Sequence, residues 1–151
     1  IYQYFPNKNA LIFAMIESDL TRKQEMIYKL AETDYRAANI IEAFYDFFTT
    51  DDGHDYAVLR AEIASEGSRN NEVAALLLKV ETALTEVFVS AVTEGQQNGR
   101  IPQKRKADEI AECIALIFEG TMRLYVFSKQ QGPKLLESFG QHVENIVYSS
   151  R

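Results

Sequence analysis

Hydrophobic residues recur at intervals of three, four and seven positions along most of the chain, which is the period of an α-helix with one buried face. Few residues that break helices interrupt this pattern, because the 151 residues include 3 prolines and 7 glycines. The interruptions divide the chain into six predicted helices, at residues 7–30, 37–49, 56–67, 71–98, 107–128 and 133–148. The sequence therefore predicts an all-α protein, a bundle of about six helices.

Local signals place the ends of these helices. Asn7 follows Pro6 and is a residue type that caps helix N-termini, so we expect the first helix to begin there. The segment TTDDGHD, residues 49–55, interrupts the apolar pattern and predicts a turn between the second and third helices. Gly99 is expected to close the fourth helix, and Pro133 to open the sixth.

The fifth predicted helix is apolar on two faces, which are formed by Ile110, Ile114, Ile117, Thr121 and Leu124 and by Cys113, Leu116, Gly120 and Phe127. One face can pack on the core of the domain, so the other needs the amphipathic sixth helix or a second subunit. We predict a homodimer in which the last two helices of each copy form a four-helix bundle across a two-fold axis. The residues assigned to this interface are Leu116, Gly120, Phe127, Leu136, Phe139, Val143, Ile146 and Val147.

Composition narrows the class of protein. A chain that is 46% hydrophobic and 25% charged is typical of one compact soluble domain, and its apolar runs are shorter than the ~20 residues of a membrane span. The single cysteine, Cys113, is predicted to be a buried, inert thiol in a reducing cytoplasm. The net charge of -6 argues against nucleic-acid binding by this part alone. The basic cluster within residues 100–106 is interpreted as a solvated linker.

The motifs of catalytic and metal sites do not occur in the sequence. A di-iron bundle needs Glu-x-x-His motifs, but His54 follows Asp51 at that spacing and His142 follows Phe139. There is no Gly-x-Ser-x-Gly element, and Cys113 has no histidine one helical turn away. We therefore predict no enzymatic activity, no metal and no cofactor.

The first residues suggest a contact with phosphate. Backbone N–H groups at the start of the first helix, together with Lys8 and the hydroxyls of Tyr2 and Tyr4, could hold a phosphate group. Judged from these residues alone, the tyrosines serve equally well as anchoring aromatics and the lysine as a solvated charge.

Two stretches resemble the tetracycline-repressor (TetR) family of transcriptional regulators. IYQYFPNKNALIFAMI resembles the end of that family's helix-turn-helix, with the pattern hydrophobic-Tyr-x-Tyr/His-Phe-x-Ser/Asn-Lys-x-x-Leu, and the matching residues are Ile1, Tyr2, Tyr4, Phe5, Asn7, Lys8 and Leu11. EGQQNGRIP, followed by a helix containing ALIFEGTMRLYVF, is similar to the ligand-binding and dimerisation region. The resemblance divides the chain into residues 1–6, the end of a helix-turn-helix, and residues 7–151, a regulatory domain.

The resemblance implies a ligand-responsive regulator, a repressor, that binds operator DNA and a small apolar or aromatic effector. Tyr2, Tyr4 and Lys8 would contact phosphates, while residues expected before Ile1 would contact the bases. The effector pocket is placed at Phe44, Phe48, Leu59, Arg60, Ile63, Leu84, Phe88, Phe118, Glu119 and Tyr125, each of which could instead be plain core, or an ordinary ion pair. The alternative function is a helical interaction module without a role in DNA binding.

Overall fold

The computed structural model of the protein describes residues 6–149, and within this range it contains helices and no strand. Six α-helices make up the described part of the chain, and a 3-10 turn at Lys129–Gln131 precedes the last of them. Their bounds are α1 Lys8–Glu32, α2 Ala37–Thr49, α3 Asp51–Gly67, α4 Asn71–Gln97, α5 Ala107–Phe127 and α6 Gly132–Tyr148. The prediction of an all-α bundle is confirmed.

Helix α3 begins five residues before its predicted start at Tyr56. A single residue, Thr50, ends α2 and caps α3, and its hydroxyl accepts a hydrogen bond from the backbone N–H of Gly53. Asp51 and Asp52 then lie in the first turn, where carboxylates are stabilised by the positive end of the helix dipole. The segment predicted to be a turn is therefore a capped helix start.

Other helix ends agree with the sequence-based expectations. The Asn7 side chain accepts a hydrogen bond from the N–H of Ala10 at 2.9 Å, which confirms it as the cap of α1. Two residues of the basic linker, both exposed, donate hydrogen bonds to helix C-termini. Arg100 donates to the carbonyl oxygen of Ala31 in the last turn of α1, and Lys104 donates to the carbonyl oxygen of Tyr148.

Two hydrophobic cores lie along the bundle. The larger core contains the fully buried side chains Tyr35, Ile40, Phe48, Ile110, Ile114, Tyr125 and Leu136, contributed mainly by α2, α5 and α6. The smaller core, which we call the second core, is formed by Ile12, Ile16, Ile63 and Val73, from α1, α3 and α4. Helix α1 therefore packs on the second core near its start and on the larger core near its end.

The apolar stripe of α6 is covered by α2 and α5 of the same chain. Leu136, Phe139, Val143 and Val147 are buried in the larger core, and Ile146 packs against it. The close approach of the two helices is visible at Gly140, where an added Cβ would lie 3.3 Å from the carbonyl oxygen of Ala37. Because other helices of the same chain bury these four side chains, which were assigned above to a dimer interface, they are not exposed on the surface of the protomer.

Helix α5 presents an uncovered apolar face. Leu116 and Phe127 are 66% and 70% exposed, and Leu124, predicted to share the face of Ile110, is instead exposed on this side. Cys113 lies on this side of the helix and is exposed, so the prediction of a buried thiol is wrong. A Cβ added at Gly120 would meet nothing within 4 Å. We refer to Cys113, Leu116, Gly120, Leu124 and Phe127 as the α5 outer face.

Helices α3, α5 and α6 all contact the last carbonyl groups of α2. A Cβ at Gly53 would overlap the carbonyl oxygen of Phe47, and a Cβ at Gly132 would overlap that of Phe48. The Tyr125 hydroxyl donates a hydrogen bond of 3.2 Å to the Phe47 carbonyl oxygen. The starts of α3 and α6 therefore pack directly on the end of α2, at a distance that glycine alone permits.

Within residues 6–149, none of the helices combines the length and the apolar composition that crossing a bilayer requires.

Candidate ligand-binding cavity

A mainly apolar cavity of about 80 Å³ lies between α1, α2, α4, α5 and α6. Aromatic rings dominate its wall, and T-shaped packing of Phe118 against Phe139, with ring centroids 6.1 Å apart, closes the side between α5 and α6. The lining residues are Lys23, Met26, Ile27, Leu30, Phe44, Phe48, Glu81, Leu84, Thr85, Phe88, Ala111, Ile114, Ala115, Phe118, Glu119 and Phe139.

The structure brings together part of the predicted pocket. Six of the predicted pocket residues line the cavity, namely Phe44, Phe48, Leu84, Phe88, Phe118 and Glu119. Leu59 and Ile63 do not line the cavity, because their positions on α3 direct their side chains towards the second core. Tyr125 is fully buried beside Phe48, with its hydroxyl bonded to backbone, and Arg60 lies behind Glu119 instead of on the cavity wall.

Sequence reasoning missed the contribution of α1. Its second half supplies Lys23, Met26, Ile27 and Leu30 to the cavity. The apolar spacing of residues 26, 27 and 30 was a usable signal for a buried face, and Lys23 lies one turn before it. The two partners of Lys23 are distant in sequence, so its role could not be inferred from spacing.

A network of charged side chains borders the cavity and joins four helices. The Lys23 ammonium of α1 lies 3.2 Å from a Glu81 oxygen on α4 and 3.3 Å from Glu119 Oε1 on α5. Arg60 of α3 donates two hydrogen bonds to Glu119, from Nη2 to Oε1 at 2.8 Å and from Nη1 to Oε2 at 3.2 Å. Its Nε lies 3.5 Å from Asp19 Oδ1, and Asp19 also accepts a hydrogen bond from the Tyr56 hydroxyl.

Exposure differs sharply among the charges of this network. The side chains of Lys23, Arg60 and Asp19 are 11% exposed, whereas that of Glu119 is 48% exposed. Burial raises the pKa of Glu119, but the Arg60 and Lys23 charges outweigh burial and hold that pKa below its usual range. Glu119 is therefore ionised at neutral pH, and the cavity border carries both signs of charge.

A second, wider groove lies on the other side of Arg60 and Glu119. Its volume is about 440 Å³, and its lining residues are Ala57, Arg60, Ala61, Ala64, Glu119, Met122, Arg123, Val126 and Phe127. Glu119 lines both spaces. Glu119 therefore lies between the cavity and the groove, and Arg60 lies on the groove side.

The start of α1 holds the described part of the predicted phosphate contact. The Lys8 ammonium lies 3.3 Å from Glu66 Oε2, and the same carboxylate oxygen accepts a hydrogen bond from Arg69 at 3.1 Å. The Lys8 side chain is exposed at this position, while Glu66 is largely buried. Tyr2 and Tyr4 lie outside the described residues.

Among residues 6–149, no group of three or more His, Cys, Asp or Glu side chains is arranged to hold a metal ion.

Comparison with known proteins shows similarity to transcriptional regulators. The chain is 32% identical over 105 residues to the HTH-type transcriptional regulator UidR of Escherichia coli K12, and the match covers 67% of the chain and 50% of UidR. The proteins of the same name from Escherichia coli O157:H7 and Shigella flexneri give the same values. The chain therefore spans about half the length of these curated relatives. No family model matches it, and no solved structure does.

Proposed function

We propose that the chain is the regulatory part of a ligand-responsive transcriptional regulator of the tetracycline-repressor type, acting as a repressor in the cytoplasm. The observation that carries the proposal is the 32% identity to an HTH-type transcriptional regulator over 105 residues. In this proposal residues 1–6 end a helix-turn-helix that binds operator DNA, and residues 7–151 bind the effector and dimerise. The TetR-like motif that begins at Ile1 supports the division.

The position of α1 supports a link between cavity and DNA. The second half of this helix lines the cavity, and its first residue, Lys8, lies within the segment that matches the helix-turn-helix motif. An effector that fits one position of α1 better than another shifts the population of the two by its difference in affinity, with couplings typically of ~1–3 kcal/mol. Effector binding would therefore change the orientation of the DNA-binding segment.

Lys8 gives the DNA-binding proposal its most direct test. In the gene product of the complete reading frame, we expect Lys8→Ala to weaken binding to specific and non-specific DNA alike, because a phosphate contact carries no sequence information. The slope of log K against log salt concentration should become shallower by about 1. Binding measured by fluorescence anisotropy at several salt concentrations checks both expectations.

The matched control for Lys8 is Lys79→Ala, which removes an exposed lysine of α4. An unchanged salt slope in Lys8→Ala would remove Lys8 from the phosphate contacts. Complete absence of DNA binding by the unmodified gene product would overturn the proposed function and favour the helical interaction module.

The α5 outer face is the proposed dimer interface. Of the residues assigned to the interface from sequence, Leu116, Gly120 and Phe127 are exposed on it, and Leu124 extends it. A stripe of apolar side chains beside an exposed glycine is suited to close helix packing across a two-fold axis. Such a dimer would hold two recognition helices at the separation of about 34–36 Å that successive major grooves require.

Leu116→Glu tests this interface. A carboxylate placed at the centre of an apolar contact is expected to weaken dimerisation by about 30-fold or more, because it must be desolvated without a partner. Sedimentation equilibrium over a range of concentrations measures the dissociation constant. Leu78→Glu is the control, since Leu78 is 71% exposed on α4 and is not part of the α5 outer face. Equal dimerisation of both variants would place the interface elsewhere.

A further inference from the structure

We infer that the effector is an apolar carboxylic acid whose carboxylate takes the place of Glu119 on Lys23 and Arg60. This inference rests on the proposed function, because it assigns a ligand class to the proposed effector cavity. Two observations support it: Lys23 and Arg60 are more buried than Glu119, and Glu119 lies between the cavity and the groove.

The buried members of the network that face Glu119 are cations. Lys23 and Arg60 have side chains that are 11% exposed, whereas Glu119 is 48% exposed. Leaving a buried charge without a partner is costly, while a half-exposed carboxylate can be solvated by water. A cationic ligand would have to draw Glu119 away from both buried cations. A ligand carboxylate would instead leave both cations paired and release Glu119, a half-exposed carboxylate that water can solvate.

The geometry at Arg60 already suits a carboxylate. Its two terminal nitrogens each contact one oxygen of Glu119, at 2.8 and 3.2 Å, which is the two-pronged arrangement that guanidinium groups form with carboxylates. The Lys23 ammonium adds a third contact, at 3.3 Å. When Glu119 leaves, Arg60 keeps Asp19 and Lys23 keeps Glu81, so the position remains held for an incoming acid.

The cavity suits the apolar part of such a molecule but is too small for it while Glu119 is in place. Its wall carries Phe44, Phe48, Phe88, Phe118 and Phe139, and its volume is about 80 Å³. A buried apolar cavity of ~150 Å³ holds one benzene molecule. Displacement of Glu119 would join the cavity to the groove of about 440 Å³ beyond it. Room for an aromatic ring and release of Glu119 therefore arise together.

The same exchange would reach α1. Asp19 and Lys23 are the α1 members of the network, and Lys23 is held by Glu119 of α5 and Glu81 of α4. When a ligand carboxylate replaces Glu119, one of the two links that join Lys23 to its neighbouring helices passes through the ligand. The position of α1 then depends on the ligand, which is the coupling that the proposed function needs.

The test uses three probes that share one ring and one chain length: 3-phenylpropionate, 3-phenylpropanol and 3-phenylpropylamine. Isothermal titration calorimetry with the complete gene product measures each dissociation constant. We expect the acid to bind about tenfold more tightly than the alcohol or the amine, because a charge-assisted pair replaces a neutral or repulsive contact. Thermal unfolding of every variant confirms that it is folded.

Two variants separate a ligand contact from a purely structural role. Glu119→Gln should tighten binding of the acid about fivefold or more, because it removes the carboxylate that competes for the two cations. Glu112→Gln, which makes the same change at an exposed position of α5, should leave binding unchanged. Lys23→Met should weaken binding of the acid about tenfold while leaving the alcohol unaffected, and Lys79→Met is its control.

The inference is overturned if the alcohol or the amine binds as tightly as the acid, if the acid does not bind, or if Glu119→Gln fails to tighten its binding. The proposed function fails on a different measurement, the binding of DNA in the absence of any ligand. The two failures are therefore distinguishable.

Discussion

Alanine at Gly53 or at Gly132 is expected to lower the free energy of unfolding by about 3 kcal/mol, the upper end of the usual cost of overpacking. Each added methyl group would overlap a backbone carbonyl oxygen at the end of α2, that of Phe47 or that of Phe48. A backbone atom inside a packed helix cannot rotate aside as a side chain can, so α3 or α6 would have to move away from α2. Urea unfolding followed by circular dichroism measures the loss.

Gly120→Ala is the matched control for the two glycine variants. An added Cβ there meets nothing within 4 Å in the protomer, so alanine should stabilise α5 by up to about 1 kcal/mol through its higher helix propensity. The comparison belongs in the Leu116→Glu background, where the proposed dimer does not contribute. A loss of less than about 1 kcal/mol at both Gly53 and Gly132 would show that the contacts with α2 are looser than described.

Arg60→Met is expected to lower the free energy of unfolding by about 3–5 kcal/mol, the range observed when one partner of a buried ion pair is removed. The cost arises at Asp19, which is as buried as Arg60 and would retain only the Tyr56 hydroxyl as a partner in the described network. Glu119 suffers less, because it keeps Lys23 and is half exposed. Denaturant unfolding at neutral pH measures the change.

The double variant Arg60→Met/Asp19→Asn isolates the cause of that loss. Asparagine keeps the shape of the side chain and can still accept the hydrogen bond from Tyr56, but carries no charge, so the double variant should recover part of the stability. Arg123→Met removes an exposed arginine of α5 and should change stability by less than about 1 kcal/mol. An Arg60→Met effect as small as the control would mean that the network behaves as a surface ion pair.

The helices were predictable where local and periodic signals agree, and less so where they conflict. Helix α2 has an unbroken apolar face and was placed at its observed bounds. The start of α3 was missed because Asp51, Asp52 and Gly53 are frequent turn residues, and their role depends on the cap that Thr50 supplies. Whether this segment forms a turn or a helix start depends on a tertiary contact, because Gly53 allows α3 to pack closely on α2.

Periodicity showed which faces are apolar but not what covers them. The stripe of α6 that contains Phe139 and Val143 is assigned to a second subunit from sequence, yet helices of the same chain already bury it. Prediction of the cavity from periodicity has the same limit. Phe44, Phe88 and Phe118 were recognisable as buried aromatics, but the role of Lys23 depends on partners 58 and 96 residues away in sequence. Ion pairs between residues so far apart in sequence depend on how whole helices pack, which periodicity does not reveal.

Helix α1 rests on the second core near its start and on the cavity near its end, which gives it the mechanics of a lever. Taking Ile12 and Ile16 as the fulcrum, the arm to Met26 is about 18 Å long and the arm to Lys8 about 9 Å, at 1.5 Å per residue. A sideways movement at the cavity is therefore halved at Lys8 and reversed in direction, while the tilt angle is preserved. Whatever precedes α1 in the chain would be turned through the same angle, and its displacement would grow with its distance from the fulcrum.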